Sequence, residues 1–305
     1  MREVDELEQV IAPAGEPVSA ADAWAQVPRG WLRLRQEWRN PIGVAGAVIV
    51  GLNVLTALFG PLLWRVDPTL QNYHRLLGPS ATNPMGTDEL GRDLFARVIH
   101  GSQVSLEVGA VAVLIALSAG GVVGLTAGYY GGPADAVLMR IVDVMFAFPG
   151  LVLAIVIAGL LGPSRTNAMI AIGVVYAPAF ARVIRAAVLE VLGRPFVEAA
   201  RALGVGALRI MGRHVVPNIV APLIVMVTVY LSTAILSEAA LSFLGLGTQP
   251  PEPSWGSMLN TSRTYMELAP WYAIFPGLAI MLVILGFNFL GDGLRDILDP
   301  RLRDV

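Results

Sequence analysis

The sequence predicts an all-α membrane protein with six transmembrane helices, and composition and hydropathy both point to this class. Hydrophobic residues make up 55% of the 305 positions and charged residues only 14%, whereas a soluble domain carries about 25% charged residues. The mean hydropathy is +0.65. Six apolar stretches are long enough to cross a hydrocarbon core of about 30 Å at about 1.5 Å per residue. The predicted spans are 42–64, 104–127, 138–161, 168–189, 216–240 and 270–290.

The segment before the first span is expected to stay outside the bilayer core. It is acidic up to residue 28, and no basic stretch followed by an apolar run marks a cleaved signal peptide. Residues 29–39 then place Trp31, Leu34 and Trp38 on one helical face among arginines, which is typical of a helix lying at the membrane surface. We therefore expect a tail and an interfacial amphipathic helix within 1–40.

The distribution of arginine predicts the orientation. With both termini inside, the inner segments carry fifteen arginines and the outer loops six, and positive charge is retained on the cytoplasmic side. Both termini are therefore expected to be cytoplasmic. The predicted segments are a cytoplasmic tail with interfacial helix (1–40), a first span (41–64), an extracytoplasmic loop with a short helix (65–103), a five-span core (104–295) containing a cytoplasmic loop at about 190–215 and an extracytoplasmic loop at 241–269, and a cytoplasmic C-terminus (296–305).

Missing residue types exclude several kinds of chemistry. The chain has no cysteine and no lysine, so it can supply neither a thiolate site nor the lysine of a phosphate-binding loop. Its three histidines, His74, His100 and His214, lie outside the spans and too far apart to form a pair by spacing. The net charge of −2 gives no indication of nucleic-acid binding. We expect no catalytic residue, no metal site and no cofactor bound by this chain.

Small residues recur every fourth position along the second span. Such a face lets helix backbones approach closely in lipid, and its partner could lie within the chain or outside it. The face consists of Ala112, Ala116, Gly120, Gly124 and Gly128.

Ionisable residues near the spans favour structural roles. Glu107, Asp143 and Glu238 lie near predicted span ends, where interfacial anchoring is expected, with Arg140 as a helical partner for Asp143. Three further carboxylates, Asp88, Glu89 and Asp93, lack the spacing of a calcium loop. We expect Thr87 or Asp88 to cap a short helix there.

The loop at 241–269 is rich in glycine and proline and contains Trp255. Irregular backbone near a bilayer is tolerated when it is packed in protein or lines a water-filled cavity. We expect a folded cap at the outer mouth, with Glu238 and Trp255 as candidate outer-gate residues. The alternative is a solvated connector.

The cytoplasmic loop at about 190–215 predicts a two-turn helix. Pro195 suits a helix start and Gly204 a left-handed helix end. A helix this short is not stable alone in water, so its apolar face must be buried against the protein's own spans, the lipid surface or a partner. The predicted helix places Phe196, Ala199, Ala200 and Leu203 on one face, flanked by Glu198 and Arg201.

Several motifs in order resemble one family. The run from Glu198-Ala199-Ala200 through Gly204 to Pro217 resembles the "EAA" loop of importer permeases of the ATP-binding-cassette (ABC) class. Other stretches look like the dipeptide/oligopeptide/nickel permease family, most of all its C-type subunit. These stretches are GTDELGRDLFARVIHGSQVSLEVG (86–109), GYYGG (128–132), RIVDVMFAFPGLVLAI (140–155), SEAALSFLGLGTQPPEPSWGSML (237–259) and GDGLRDILDPRLR (291–303).

This resemblance implies a type I ABC importer permease fold in the plasma membrane of a prokaryote. It implies that the loop helix inserts into a groove on a cytoplasmic ATPase, and that ATP and Mg²⁺ are bound by two ATP-binding subunits or a fused pair. A second, B-type permease and an extracytoplasmic solute-binding protein would complete the complex. The implied solutes are di- or oligopeptides, although relatives with the same motifs carry nickel chelates or glutathione.

Two other classes are less consistent with the residues. A secondary transporter coupled to an ion gradient often shows inverted repeats and midplane charges, and neither is evident in the sequence. An intramembrane hydrolase needs a nucleophile with a base, or metal ligands, inside the bundle, and the predicted spans contain no histidine.

Overall fold

A computed structural model describes residues 41–298, and the regular elements in this range are helices. The predicted tail and interfacial helix within 1–40 and the C-terminus after Leu298 lie outside the described residues. The helices are α1 (Pro41–Leu63), α2 (Leu94–Tyr130), α3 (Gly132–Phe146), α4 (Gly150–Leu161), α5 (Arg165–Leu192), α6 (Pro195–Ala202), α7 (Ala207–Ile210), a π-helical turn (Met211–Val215), α8 (Val216–Phe243), α9 (Trp255–Ser262), a 3₁₀ turn (Arg263–Tyr265) and α10 (Trp271–Leu298).

Between residues 41 and 298, five helical stretches are long and apolar enough to cross a membrane. They are α1, α2, α5, the continuous stretch Ala207–Phe243 and α10. The predicted span at 138–161 is not one continuous helix, because α3 and α4 meet there at 91°; counted together as one bent span, the pair would make six. Pro149 precedes the first residue of α4; proline lacks an N–H and disfavours helical geometry in the residue before it.

Helix α2 is longer than the predicted span 104–127. It begins at Leu94 because Asp93 caps it, accepting a hydrogen bond from the backbone N–H of Ala96. The separate short helix predicted between residues 65 and 103, with Thr87 or Asp88 as its cap, is therefore wrong. By contrast, α5 continues through Pro178 as one helix of 28 residues.

The small-residue face of α2 packs inside the chain, against α5. A Cβ atom added at Gly120 would lie 2.6 Å from the Cβ of Phe180, and one added at Gly124 would lie 2.9 Å from the Cβ of Ile184. Both distances are shorter than Cβ contacts allow. The two alternatives left open by the sequence are thus resolved in favour of a partner within the chain.

The connections divide between two ends of the helices. Residues 64–93 and 244–270 join helices at one end, here called the cap end. Residues 193–215 join α5 to α8 at the opposite end, here called the loop end. One buried apolar cluster runs along α2, α5, α6 and α8 towards the loop end, and a second one lies around Trp255 and Tyr272 at the cap end.

Candidate functional site

Helix α6 at the loop end begins and ends as its sequence predicts. Pro195 is its first residue, and Glu198 lies in its first turn, where a negative charge suits the helix dipole. The chain reverses at Gly204, whose φ is +76°. The N–H of Val205 donates to the carbonyl of Ala200 at 3.1 Å, and that of Gly204 donates to the carbonyl of Arg201 at 2.9 Å, the pair of bonds that defines a Schellman motif.

Two buried side chains pack α6 against the rest of the protein. Val197 is fully buried and Ala200 is 7% exposed. Both belong to the apolar cluster that also contains Val188 of α5 and Val215 before α8. Ala200, predicted to share one apolar face with Phe196 and Leu203, is therefore at the buried edge of that face. A spacing of three and four residues predicts which side chains share a face of a helix. It does not predict which of two neighbouring alanines, Ala199 or Ala200, is buried.

The opposite side of α6 leaves apolar side chains uncovered. Leu203 is 84% exposed, Phe196 is 40% exposed and Ala199 is also exposed. Leu208 in the following turn is 80% exposed. These four residues are called the loop-helix patch below. Glu198 beside it is exposed and has no ion pair among residues 41–298.

Aromatic contacts fix the edges of this patch. The ring of Phe196 lies 6.4 Å from that of His214, between centroids. The guanidinium of Arg201 lies 5.6 Å above the ring of Tyr129, at the loop end of α2. The patch is thus held in a defined position although its apolar atoms remain uncovered.

Helix α6 is tied closely to two spanning helices. Only Gly193 and Arg194 separate it from α5, and Arg194 pairs with Glu190 of α5 at 3.1 Å. On the other side, α7 and the π-helical turn lead into α8 without interruption. A force applied to α6 would therefore act directly on α5 and α8.

The cap end, in contrast, contains a buried network of charges. Asp88 is fully buried and accepts hydrogen bonds at 2.9 Å from the backbone N–H groups of Leu90 and Arg92. It also pairs with the guanidinium groups of Arg92 at 2.5 Å and Arg97 at 3.4 Å. Sequence spacing alone does not place Arg97 in this network.

The carboxylates of Glu89 and Asp93 connect the cap end to α10 and to the residue that follows α1. Glu89 accepts a hydrogen bond from the hydroxyl of Tyr272 in α10 at 2.6 Å. Asp93 accepts one from the indole N–H of Trp64 and one from the side-chain amide of Asn83, both at 2.9 Å. Protein donors therefore occupy all three carboxylates of this segment.

Glu238 is buried inside the protein, so its expected role as an exposed anchor at the membrane surface is wrong. It is fully buried in α8 and accepts a hydrogen bond from the hydroxyl of Ser242 at 2.7 Å. Ser105 of α2 donates to its other oxygen at 3.4 Å. Sequence periodicity missed this because its serine partners come from two helices.

Trp255 is also buried. Its indole N–H donates to the carbonyl of Val98 at 3.0 Å, and a Cβ added at Gly101 would lie 2.7 Å from its ring. The 241–269 segment is thus packed onto α2 rather than solvated along its length. A gating role for Glu238 and Trp255 stays a prediction.

The other two ionisable residues pair across helices. Glu107 lies 3.3 Å from Arg165, which also approaches Glu252 at 3.5 Å. Asp143 of α3 pairs with Arg182 of α5 at 2.9 Å, so the expected pairing with Arg140 is wrong. Sequence spacing could identify only partners on the same helix.

Two family models match the chain. Residues 120–304 match the model described as a binding-protein-dependent transport system inner membrane component. Residues 28–79 match the N-terminal transmembrane domain of oligopeptide transport permease C. The loop helix and its seat lie inside the first match.

Curated relatives span nearly the whole chain. A dipeptide transport system permease protein DppC of Alkalihalophilus pseudofirmus is 45% identical, over 95% of this chain and 94% of that protein. A di/tripeptide permease protein DppC of Pseudomonas aeruginosa is also 45% identical, covering 89% and 93% of the two chains. A glutathione permease protein GsiD of Pectobacterium atrosepticum is 43% identical, covering 88% and 90%.

A solved structure shows the same fold. An inward-facing chain of the MetNI methionine ABC transporter aligns with a TM-score of 0.53 and 22% identity, over 66% of this chain and 96% of that one. The helical architecture, the family models and the relatives agree. This chain belongs to the binding-protein-dependent inner membrane components of ABC importers, as a dipeptide/oligopeptide permease of the C type.

Proposed function

We propose that this chain is a non-catalytic permease subunit that moves peptides into the cytoplasm. Helix α6 couples it to ATP hydrolysis on a partner subunit. The observation that carries this proposal is the loop-helix patch. Val197 and Ala200 anchor the helix, whereas Phe196, Ala199 and Leu203 on its other side are exposed. Exposed apolar side chains on a short polar loop indicate a surface that a partner covers.

The proposed partner at this surface is a cytoplasmic ATP-binding subunit. Two such subunits, or one fused pair, would bind ATP and Mg²⁺, so this chain itself needs no cofactor. This arrangement places the loop end and both termini in the cytoplasm. A second, B-type permease would complete the path, and a solute-binding protein would deliver solute at the cap end.

The proposed solutes are di- or oligopeptides. The names of two relatives at 45% identity specify dipeptides or di/tripeptides. A relative at 43% identity is named for glutathione, which is a second candidate and is itself a small peptide. Nickel chelates remain an alternative that these relatives do not favour.

The test is a substitution at the most exposed residue of the patch. Leu203→Asp should leave the complex assembled in the membrane, because the side chain is 84% exposed and supports no core. It should lower both ATP-driven dipeptide uptake and the stimulation of ATPase activity by at least tenfold, because it places a charge in an apolar contact. Leu203→Met, which keeps an apolar side chain, is the matched control and should retain both activities.

Normal coupling in Leu203→Asp would contradict the role of α6. Uptake that proceeds without ATP, driven by a proton or sodium gradient, would instead favour a secondary transporter. Ala200→Glu tests a different feature, because Ala200 faces the protein and a glutamate there would disturb the seat of the helix. Ala199→Glu is the sharper companion variant, since Ala199 is exposed.

A further inference from the structure

An ion pair lies exposed on the side of the helices. Asp143 of α3 and Arg182 of α5 are 2.9 Å apart, yet their side chains are 58% and 55% exposed. The guanidinium of Arg182 also lies 4.2 Å above the ring of Phe146. Ile141 and Val144, on either side of Asp143 in the sequence, are exposed apolar residues.

In a bilayer centred on α5, the pair would lie within the hydrocarbon core. Helix α5 has 28 residues and is therefore about 42 Å long. Arg182 is 17 residues from its start and 10 from its end, which places it roughly 5 Å from the middle of the helix. A hydrocarbon core of about 30 Å centred on the helix extends about 15 Å either way.

Broken backbone lies beside the pair. Helices α3 and α4 meet at 91°, and the residues of the break, 147–149, are exposed. Phe146, which contacts Arg182, is the last residue of α3. The ends of two helices, where the regular backbone hydrogen bonding is interrupted, therefore lie next to an exposed ion pair.

Neither feature is compatible with contact to lipid tails. Charged side chains in the bilayer face the interior of a bundle or a water-filled cavity, and irregular backbone at this depth is tolerated only in the same places. We infer that the face formed by Asp143, Phe146, Arg182 and the break at 147–149 lines the aqueous path of the solute. This inference rests on the proposed transport function.

The chemistry of the face suits a solute that carries both charges. It presents a carboxylate and a guanidinium beside an aromatic ring, so it offers partners to the ammonium group, the carboxylate and the apolar side chains of a short peptide. Discontinuous helices also mark solute sites in other transporters. Asp143 and Arg182 are thus assigned as path-lining residues that favour zwitterionic solutes over apolar ones.

Cysteine labelling tests this assignment, because the chain contains no cysteine of its own. Phe146→Cys is the main variant, since it leaves the ion pair intact, and Arg182→Cys is the second. The matched control is Val122→Cys, which is 67% exposed. Val122 lies at the same depth as Arg182, because Gly120 and Gly124 on either side of it pack against Phe180 and Ile184.

The assembled complex in lipid nanodiscs would be treated with a charged methanethiosulfonate reagent, without nucleotide and with a non-hydrolysable ATP analogue. Modification of this chain would be read by mass spectrometry. We expect Phe146→Cys and Arg182→Cys to react at least tenfold faster than Val122→Cys in at least one state, and an excess of dipeptide to slow the reaction.

Two results would overturn the inference: equally slow reaction at all three positions, or reaction at Val122→Cys as fast as at the other two. ATP-dependent uptake by the wild-type complex and by Val122→Cys would be measured in parallel. Normal uptake with slow labelling at Phe146→Cys would refute the path assignment alone, whereas absent uptake in the wild type would refute the proposed function.

Discussion

The cap end and the loop end of this chain differ in which side chains are buried and which are exposed. At the cap end, carboxylates and guanidinium groups are buried and paired within the chain, with Asp88 fully buried between Arg92 and Arg97. At the loop end, α6 is held by Val197 and Ala200 while the apolar Leu203 remains 84% exposed. The cap end pairs its buried charges within the chain, whereas the loop end leaves apolar side chains uncovered.

This difference indicates which end of the chain offers a surface for a partner. Burying charges is favourable only when each one is paired and hydrogen-bonded. The cap end pairs its buried carboxylates with its own residues, although Nε of Arg97 has no hydrogen-bond partner among residues 41–298. Burying apolar side chains needs only a complementary surface. The loop end lacks that surface between residues 41 and 298, and the proposed ATP-binding subunit would supply it.

The largest effect should come from breaking the cap-end network. In Asp88→Asn, Arg92 and Arg97 would lose the charge that compensates them in a buried site. Removing one partner of a buried pair costs about 3–5 kcal/mol, so we expect a marked drop in the melting temperature of the purified complex and less protein in the membrane.

Glu198→Gln makes the same carboxylate-to-amide change at the loop end. Glu198 is exposed and has no ion pair within the described part of the chain, so the melting temperature should stay as in the wild type. Equal melting temperatures for Asp88→Asn and Glu198→Gln would remove the contrast between the two ends.

A smaller effect is expected at the turn after α6. Gly204 has a φ of +76°, a conformation that costs other residues roughly 1–2 kcal/mol. Gly204→Ala should therefore loosen the last turn of α6, which hydrogen exchange of the amides of Gly204 and Val205 would detect, with a modest loss of coupled uptake.

Gly206→Ala is the matched control for this turn. Gly206 has a φ of −64° and open space around its Cβ position, so alanine should be tolerated there. Exchange rates that rise equally in Gly204→Ala and Gly206→Ala would show that the left-handed turn does not hold the helix.

Local signals in the sequence predicted local structure well. The left-handed turn at Gly204 is confirmed, and so is the helix start at Pro195. Both follow from the restricted backbone of single residues. Span positions were approximate because hydropathy marks the apolar centre of a helix and not its capping residue, which for α2 is Asp93.

Contacts between distant segments could not be read from periodicity. The pairing of Asp143 with Arg182 joins residues 39 positions apart, and Glu238 meets Ser105 across 133 positions. The break between α3 and α4 was missed because both helices are apolar, so hydropathy does not distinguish one span from two helices that meet at an angle. Whether Ala200 is buried or exposed depends on the surface against which α6 packs, and periodicity does not identify that surface.

The most direct test of the account is a crosslink from the loop-helix patch. Leu203→Cys would be the only thiol in this chain, and it would be joined in intact membranes to a photoreactive reagent. We predict a covalent adduct with an ATP-binding subunit, and none from Leu114→Cys, which is 60% exposed within α2. Adducts of Leu203→Cys confined to lipid or to this chain itself would contradict the account.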